Sequence, residues 1–386
     1  MKLTFFNLAS LRTGRGCEQV ILQLIKYKPA DISVTVVETD FLDGERISKE
    51  TIEKLTSKVD VITIRTRVKF LNNFFVKHNF LVKRLRLVER KLAKLDGHYD
   101  KIRSTDLVYL LANDFSSFFS KVDIPIIGSN HVFNPRFYFH KGRISRAKIW
   151  FFKRIMTPIF YKNINGYHMF PMNANFLKNV NTKYNFILPN GVDAKLYFPT
   201  TNLRPRKIKF LFVAALTPQK GLDILIPLIK EFSNYDLEFH IAGQGPLENE
   251  LRQMPGLFFH GVLDDFKLSK LFRDCDIFIY PSHNDTYSLV VLQALSSGLY
   301  VLCGDYLRGC FDDFAKLESL EYISLEIGSF RKRINEWIHN NNWPIVDKNK
   351  TFDYVKENYD WQVISEKFYD HIRTIYKSHI NDGLEH

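Results

Sequence analysis

The stretch DIFIYPSHNDTYSLVVLQALSSGLYVLCGD, residues 276–305, decides the fold. DIFIYPS (276–282) is a run of β-branched and aromatic residues ended by Pro281, the pattern of a buried strand. TYSLVVLQALSSG (286–298) predicts a helix that starts near Asp285 and stops at Gly298. LYVLCGD (299–305) predicts the next strand. Two strands joined by a helix run parallel, and a parallel sheet needs helices on both faces. Asp285 and Gln293 lie eight residues apart, on roughly one face of the helix. Two acids there would grip a polyhydroxylated ligand. One acid and one amide leave open a working site, a modified one, or a capped helix.

The same alternation continues outward. KIKFLFVAAL (207–216), LEFHIAG (237–243) and LFFHG (257–261) read as strands. Between them, GLDILIPLIKEF (221–232) reads as an amphipathic helix with Leu222, Leu225, Ile226 and Ile229 inward, and PLENELRQM (246–254) and DFKLSKLFRDC (265–275) as further helices. The first half is similar but less regular. KLTFFNLAS, ISVTVVETD, VDVITIR, DLVYLLAND and IPIIGSNH are its strand candidates and CEQVILQLIKYK a helix. The Pro-, Gly- and Asn-bearing FILPNGVDAKLYFPTTNLRPRK (186–207) marks the boundary between the halves. The sequence therefore predicts an α/β chain with domains at 1–190 and 191–360, and a stub at 384–386 that looks like an expression tag. Ligands of such sheets bind outside the carboxyl ends of the strands.

At 386 residues the chain suits two domains, and 45% hydrophobic with 25% charged residues describes a soluble globular protein. No apolar run approaches the roughly 18 to 20 residues of a membrane span. Cys17, Cys275, Cys303 and Cys310 form neither a CxxC pair nor a metal-ligand spacing, so a reducing cytoplasm is the simplest location. Charge is uneven: residues 1–190 carry 32 Lys/Arg against 15 Asp/Glu, the remainder 22 against 27. An anionic partner is expected for the first half alone.

Six motifs in order resemble glycosyltransferase family 4, retaining sugar-nucleotide enzymes of the GT-B fold. GRGCE (14–18) stands where that family has a Gly-Gly-x-Glu turn, and PNGVDAKLYFP (189–199) is similar to its interdomain signature. FVAALTPQKG (212–221) resembles its strand–loop–Lys-Gly element, and IAGQGPL (241–247) its Gly-x-Gly-Pro turn. YPSHNDTYSLVVLQALSSG (280–298) resembles its Pro-Ser…acid…Glu-Ala element, and YDWQVISEKFYDHIRTIY (359–376) its Trp-bearing helix. The resemblance implies two Rossmann-like domains facing across a cleft, with a C-terminal helix at 361–383 crossing back to the first.

The resemblance also implies roles. Gly14 and Gly16, before a helix N-terminus, would let backbone N–H groups approach a phosphate. Lys220 would neutralise a leaving diphosphate. Gly243, Gly245, Tyr287 and Ser288 would line the donor. Asp285 would cap the helix and accept from a sugar hydroxyl, Gln293 would meet the ribose, and His131 would lie beside the donor sugar. Gly14 with Gly16, Lys220, Asp285 and His131 also have plainer readings: a flexible turn, a solvated lysine, a capping aspartate, a structural histidine. The chain also departs from the family. Ala215 replaces the Arg that works with the Lys, Gln293 replaces an acid, Tyr300 replaces a Pro, and the following Gly-Gly-x-x-Glu loop is unrecognisable. Arg204, Arg206 and Arg308 are candidates to supply the lost cation.

From Arg65 to Arg103 there are 12 Lys/Arg and 3 acids among Phe and Leu residues, and 136–154 holds seven Lys/Arg and no acid. Lys83, Arg84, Arg86, Arg143, Arg146, Lys153 and Arg154 would rest on anionic headgroups while aromatic rings enter the interface. An ordinary amphipathic helix or a generic basic surface is the alternative, and no nucleic-acid recognition module is visible.

The expected activity is retaining transfer of a hexose-type unit from a UDP- or GDP-linked donor to a glycan or lipid-linked acceptor. It would need neither a metal nor another cofactor, and would take place on the cytoplasmic side of a membrane. A non-catalytic scaffold or partner subunit at that surface is the competing reading.

Overall fold

The computed structural model describes residues 1–7, 9–14, 16–39, 47–64, 97–111, 119, 123–129, 163–173, 182–200 and 207–384. The chain divides into two compact units, Met1–Leu188 with Ser365–His386, and Pro189–Ile364.

The first unit is built on a seven-stranded parallel sheet of order β3-β2-β1-β4-β5-β6-β7. Its strands are β1 (Lys2–Phe6), β2 (Ser33–Thr39), β3 (Asp60–Ile64), β4 (Leu107–Leu110), β5 (Ile126–Ser129), β6 (Gly166–Met169) and β7 (Phe186–Ile187). β4 and β5 are buried along their whole length, as apolar strands covered on both faces must be. Helix α1 (Gly16–Lys26) follows β1 and turns Val20, Ile21, Leu22, Leu24 and Ile25 inward. Tyr109 and His168 are paired inside this core. Tyr109 donates to His168 Nδ1 (2.5 Å), which leaves the imidazole proton on Nε2 to donate to the Leu188 carbonyl (2.8 Å). Burial pushes the Tyr109 phenol well up, so it stays a donor.

The second unit holds a six-stranded parallel sheet of order β10-β9-β8-β11-β12-β13. Its strands are β8 (Ile208–Val213), β9 (Leu237–Ala242), β10 (Leu257–Gly261), β11 (Ile277–Tyr280), β12 (Tyr300–Gly304) and β13 (Leu320–Ile323). Helix α2 (Leu222–Phe232) buries Leu222, Leu225, Ile226 and Ile229, as its periodicity predicts, together with Ile224, Leu228 and Phe232. Helix α3 (Leu289–Ser296) begins later than the sequence suggests. Its N-cap is Ser288, so Asp285 does not cap it. The TYS segment lies before the helix, and the Asp285 carboxylate instead accepts from Lys220 and Tyr280.

Helix α4 (Trp361–Leu384) starts in the second unit and runs on into the first. At its start the PNGVD motif acquires a structural meaning. A Cβ at Gly191 would lie 2.7 Å from the Trp361 ring, so only glycine admits that indole. Val192 donates to the Tyr359 carbonyl and accepts from Trp361 N–H, which ties the motif to YDW (2.8 and 3.0 Å). Farther along, Phe368 packs against Phe5, Tyr109 and Phe186, and Tyr369 donates to the Leu24 carbonyl (2.8 Å). Among the described residues no helix is long and apolar enough to cross a membrane.

Candidate functional site

In the second sheet, successive strands run outward one way from β8 to β10 and the other way from β11 to β13. β8 and β11 are hydrogen-bonded neighbours, so the crevice where ligands of such sheets bind opens at their carboxyl ends. β8 leads to the turn Pro218–Lys220, and β11 leads to Pro281 and Asp285.

Two glycine contacts press these loops together. Gly221 has φ +93°, and a Cβ there would lie 2.2 Å from the Pro281 carbonyl oxygen. His283 N–H donates to the Gln219 carbonyl (3.0 Å). The result places Lys220 Nζ 3.0 Å from Asp285 Oδ2 and 3.1 Å from the Asn284 carbonyl. Tyr280, the last residue of β11, donates its phenol to the same Oδ2 (2.8 Å). Burial disfavours the Lys220 ammonium, but Tyr280 and Asp285 outweigh it, so the Lys220 pKa is raised and the lysine keeps its proton. Burial, then the Asp285 charge, pushes the Tyr280 phenol up to about 12.

An ammonium carries three donors and a carboxylate two acceptor oxygens. Two Lys220 donors are engaged. Asp285 Oδ1 has no hydrogen-bond partner among the described residues. A cationic donor and an anionic acceptor are thus left side by side for a ligand.

Gly243 and Gly245 have packing reasons of their own. A Cβ at Gly243 would lie 1.9 Å from the Ala214 carbonyl oxygen, and one at Gly245 2.6 Å from that of Leu216. They bring the loop after β9 against the loop after β8. Tyr287 is buried against Phe311 (ring centroids 4.9 Å apart), so its ring is a core element. Ser288 is 2% exposed, and its hydroxyl lacks a partner among the described residues. Gln293 Oε1 is shielded from solvent and equally unpartnered, an acceptor in want of a donor. No hydrogen bond joins Gln293 to the Lys220–Asp285 pair. Tyr300, where the family has Pro, donates to Glu321 (3.0 Å).

In the first unit, Gly14 has φ +56° and closes the turn Leu11–Thr13, which explains that glycine. A Cβ at Gly16 would meet nothing within 4 Å, so the protein itself does not require that one. Arg308 is exposed and stacks on Tyr322 (4.9 Å to the ring centroid). His131, Lys83, Arg84, Arg86, Arg143, Arg146, Lys153, Arg154, Arg204 and Arg206 lie outside the described residues. Among the described residues no group of three or more His, Cys, Asp or Glu is placed to hold a metal ion.

The reading of the sequence missed Tyr280 and the His283–Asp223 pair (3.0 Å). Tyr280 reads as one more aromatic of a buried strand. Its signal would have been a hydroxyl at the end of a strand, five residues before an acid.

Solved structures of similar shape span nearly the whole chain. Sucrose-phosphate synthase from Thermosynechococcus elongatus has a TM-score of 0.75 at 12% identity, covering 98% of this chain and 99% of its own. Anabaena HepE in complex with UDP and glucose has a TM-score of 0.67 at 14% identity, covering 97% and 99%. The chain has the fold of the GT-B glycosyltransferases. Residues 193–357 of this GT-B chain match the family described as glycosyl transferases group 1. That segment contains Lys220, Gly243, Gly245, Asp285 and Gln293. The chain is also similar to the sulfoquinovosyl transferase of Arabidopsis thaliana, 30% identical over 126 residues, or 29% of this chain and 24% of the relative. The chain thus spans about a quarter of the length of the curated relatives it matches.

Proposed function

We propose that this chain is a retaining glycosyltransferase that moves a sugar from a UDP- or GDP-linked donor to a saccharide acceptor without a metal ion. The carrying observation is the Lys220–Asp285 pair at the meeting of β8 and β11, with one ammonium donor and Oδ1 left unused. In this reading the free Lys220 donor meets the diphosphate and Oδ1 accepts from a sugar hydroxyl. The bond from the anomeric carbon to the diphosphate oxygen breaks, and its electron pair leaves with the phosphate, where the lysine charge stabilises it. The acceptor hydroxyl bonds to the same face of that carbon and passes its proton to the departing phosphate oxygen. Ser288 Oγ and Gln293 Oε1, both unpartnered, are polar groups that a nucleotide sugar would engage. The UDP and glucose in the Anabaena structure support a nucleotide-sugar donor. His131 is proposed to hydrogen-bond near that sugar.

The acceptor is proposed to be a glycan or lipid-linked saccharide on an anionic membrane surface, reached through the basic first half, including Lys83, Arg84, Arg86, Arg143, Arg146, Lys153 and Arg154. The protein would then lie peripherally on the inner face of the cell membrane. Liposome sedimentation that increases with anionic lipid and falls with salt is expected; equal binding to neutral vesicles would count against it.

Ala215, where the resemblance asks for Arg, favours a second reading: a scaffold that keeps the fold without the chemistry. Titrating UDP, GDP and their sugar conjugates while following the melting temperature tests the donor site. A ligand at 100 times its Kd adds about 2.7 kcal/mol. No shift at millimolar concentration with any of them would sink the enzyme reading.

A further inference from the structure

We infer that Tyr280 is a positioning residue of the donor site, one that sets the direction of the Asp285 carboxylate; this rests on the transferase reading. Tyr280 is 2% exposed and ends β11, stacked on Phe278 (5.6 Å) and tilted against Phe212 (6.1 Å). A strand buried on both faces holds that ring far more firmly than a loop could hold an aspartate. Asp285 follows a turn of Pro281, Ser282, His283 and Asn284, and its side chain is free to rotate unless something outside the turn fixes it.

Two donors fix it, and both choose Oδ2. The Tyr280 hydroxyl comes from the strand at 2.8 Å, and Lys220 Nζ from the neighbouring loop at 3.0 Å. A carboxylate that receives two donors on one oxygen presents the other in a defined direction. Lys220, although also bonded to the Asn284 carbonyl, is the weaker orienting group, because an ammonium on a four-carbon stem adapts to its partners. A phenol on a buried ring has little such freedom. Its neutral form is also secure, since burial and the adjacent carboxylate both oppose loss of the proton. Tyr280 therefore touches no reacting atom. It acts through Asp285, ensuring that Oδ1 faces the sugar before the donor arrives.

The test is Tyr280→Phe, which removes one oxygen and keeps the ring, measured alone and with Asp285→Asn. Expected are a fall of about tenfold in kcat, an unchanged Kd for the nucleoside diphosphate product, and less than twofold further loss when Tyr280→Phe is added to Asp285→Asn. An equal loss in both backgrounds, no loss at all, or a failure to fold would overturn the positioning role. If wild type transfers no sugar, or if Lys220→Ala and Asp285→Asn both leave transfer unchanged, the transferase reading fails instead. Tyr280→Phe being silent while Lys220→Ala is not would sink this inference alone.

Discussion

Glu38 near the end of β2 and Asp285 beyond the end of β11 are both carboxylates beside a strand's carboxyl end, and the protein uses them differently. Glu38 is 6% exposed and saturated. Leu11 N–H donates to one oxygen (2.7 Å), and the hydroxyls of Ser10 (3.1 Å) and Thr63 (3.0 Å) donate to the other. Asp285 has a lysine and a phenol on one oxygen and nothing on the second. A carboxylate that spends both oxygens on the protein's own N–H and hydroxyl groups is a latch, here for the turn that ends at Gly14. One that holds a cation nearby and keeps an oxygen in reserve is equipped for a ligand. Acidity alone does not separate the two; the count of unused acceptors does.

The largest way to break this contrast is Lys220→Ala. It should lower sugar transfer tenfold or more while the fold survives, and unchanged turnover would remove Lys220 from the mechanism. Phe368→Ala probes the opposite behaviour. It empties a site among Phe5, Tyr109 and Phe186, so denaturant unfolding should show a loss of about 3–5 kcal/mol. Glu38→Ala should cost about 1–3 kcal/mol of stability, because the buried Leu11 N–H loses its acceptor. If the latch reading is right, nucleotide affinity stays within twofold of wild type, and a larger change would make Glu38 part of a ligand site. Gln293→Glu is the smallest and the sharpest. If the proposed donor site is right, a carboxylate at this position should tighten nucleotide binding by on the order of 1 kcal/mol, roughly fivefold in Kd. Calorimetry showing weaker or unchanged binding would place the ribose elsewhere.

Much of the fold was legible from the sequence because parallel sheets leave a strong imprint. Strands such as β8 and β11 read as continuous apolar runs, and helices such as α2 as a 3.6-residue stripe. β6, β7 and β13 escaped the reading, being short or polar enough to resemble loops. The helix start at Asp285 was misplaced because Asp before a Thr is a strong capping signal. That signal is local, whereas the bonds that claimed the carboxylate come from residues far away in the chain or across a turn.

By itself the sequence determined the α/β architecture, and it singled out Lys220 and Asp285 as the residues to watch. The architecture follows from periodicity, a property of neighbours in the chain, and the two residues from motifs that resemble a known family. Only the tertiary structure decided that Lys220 and Asp285 form a pair, that Tyr280 joins them, and that Gln293 Oε1 is left unpartnered. Each of these depends on where strand ends meet across a sheet. A one-dimensional pattern cannot specify that meeting, because the loops pack closely only where Gly221, Gly243 and Gly245 leave out a side chain.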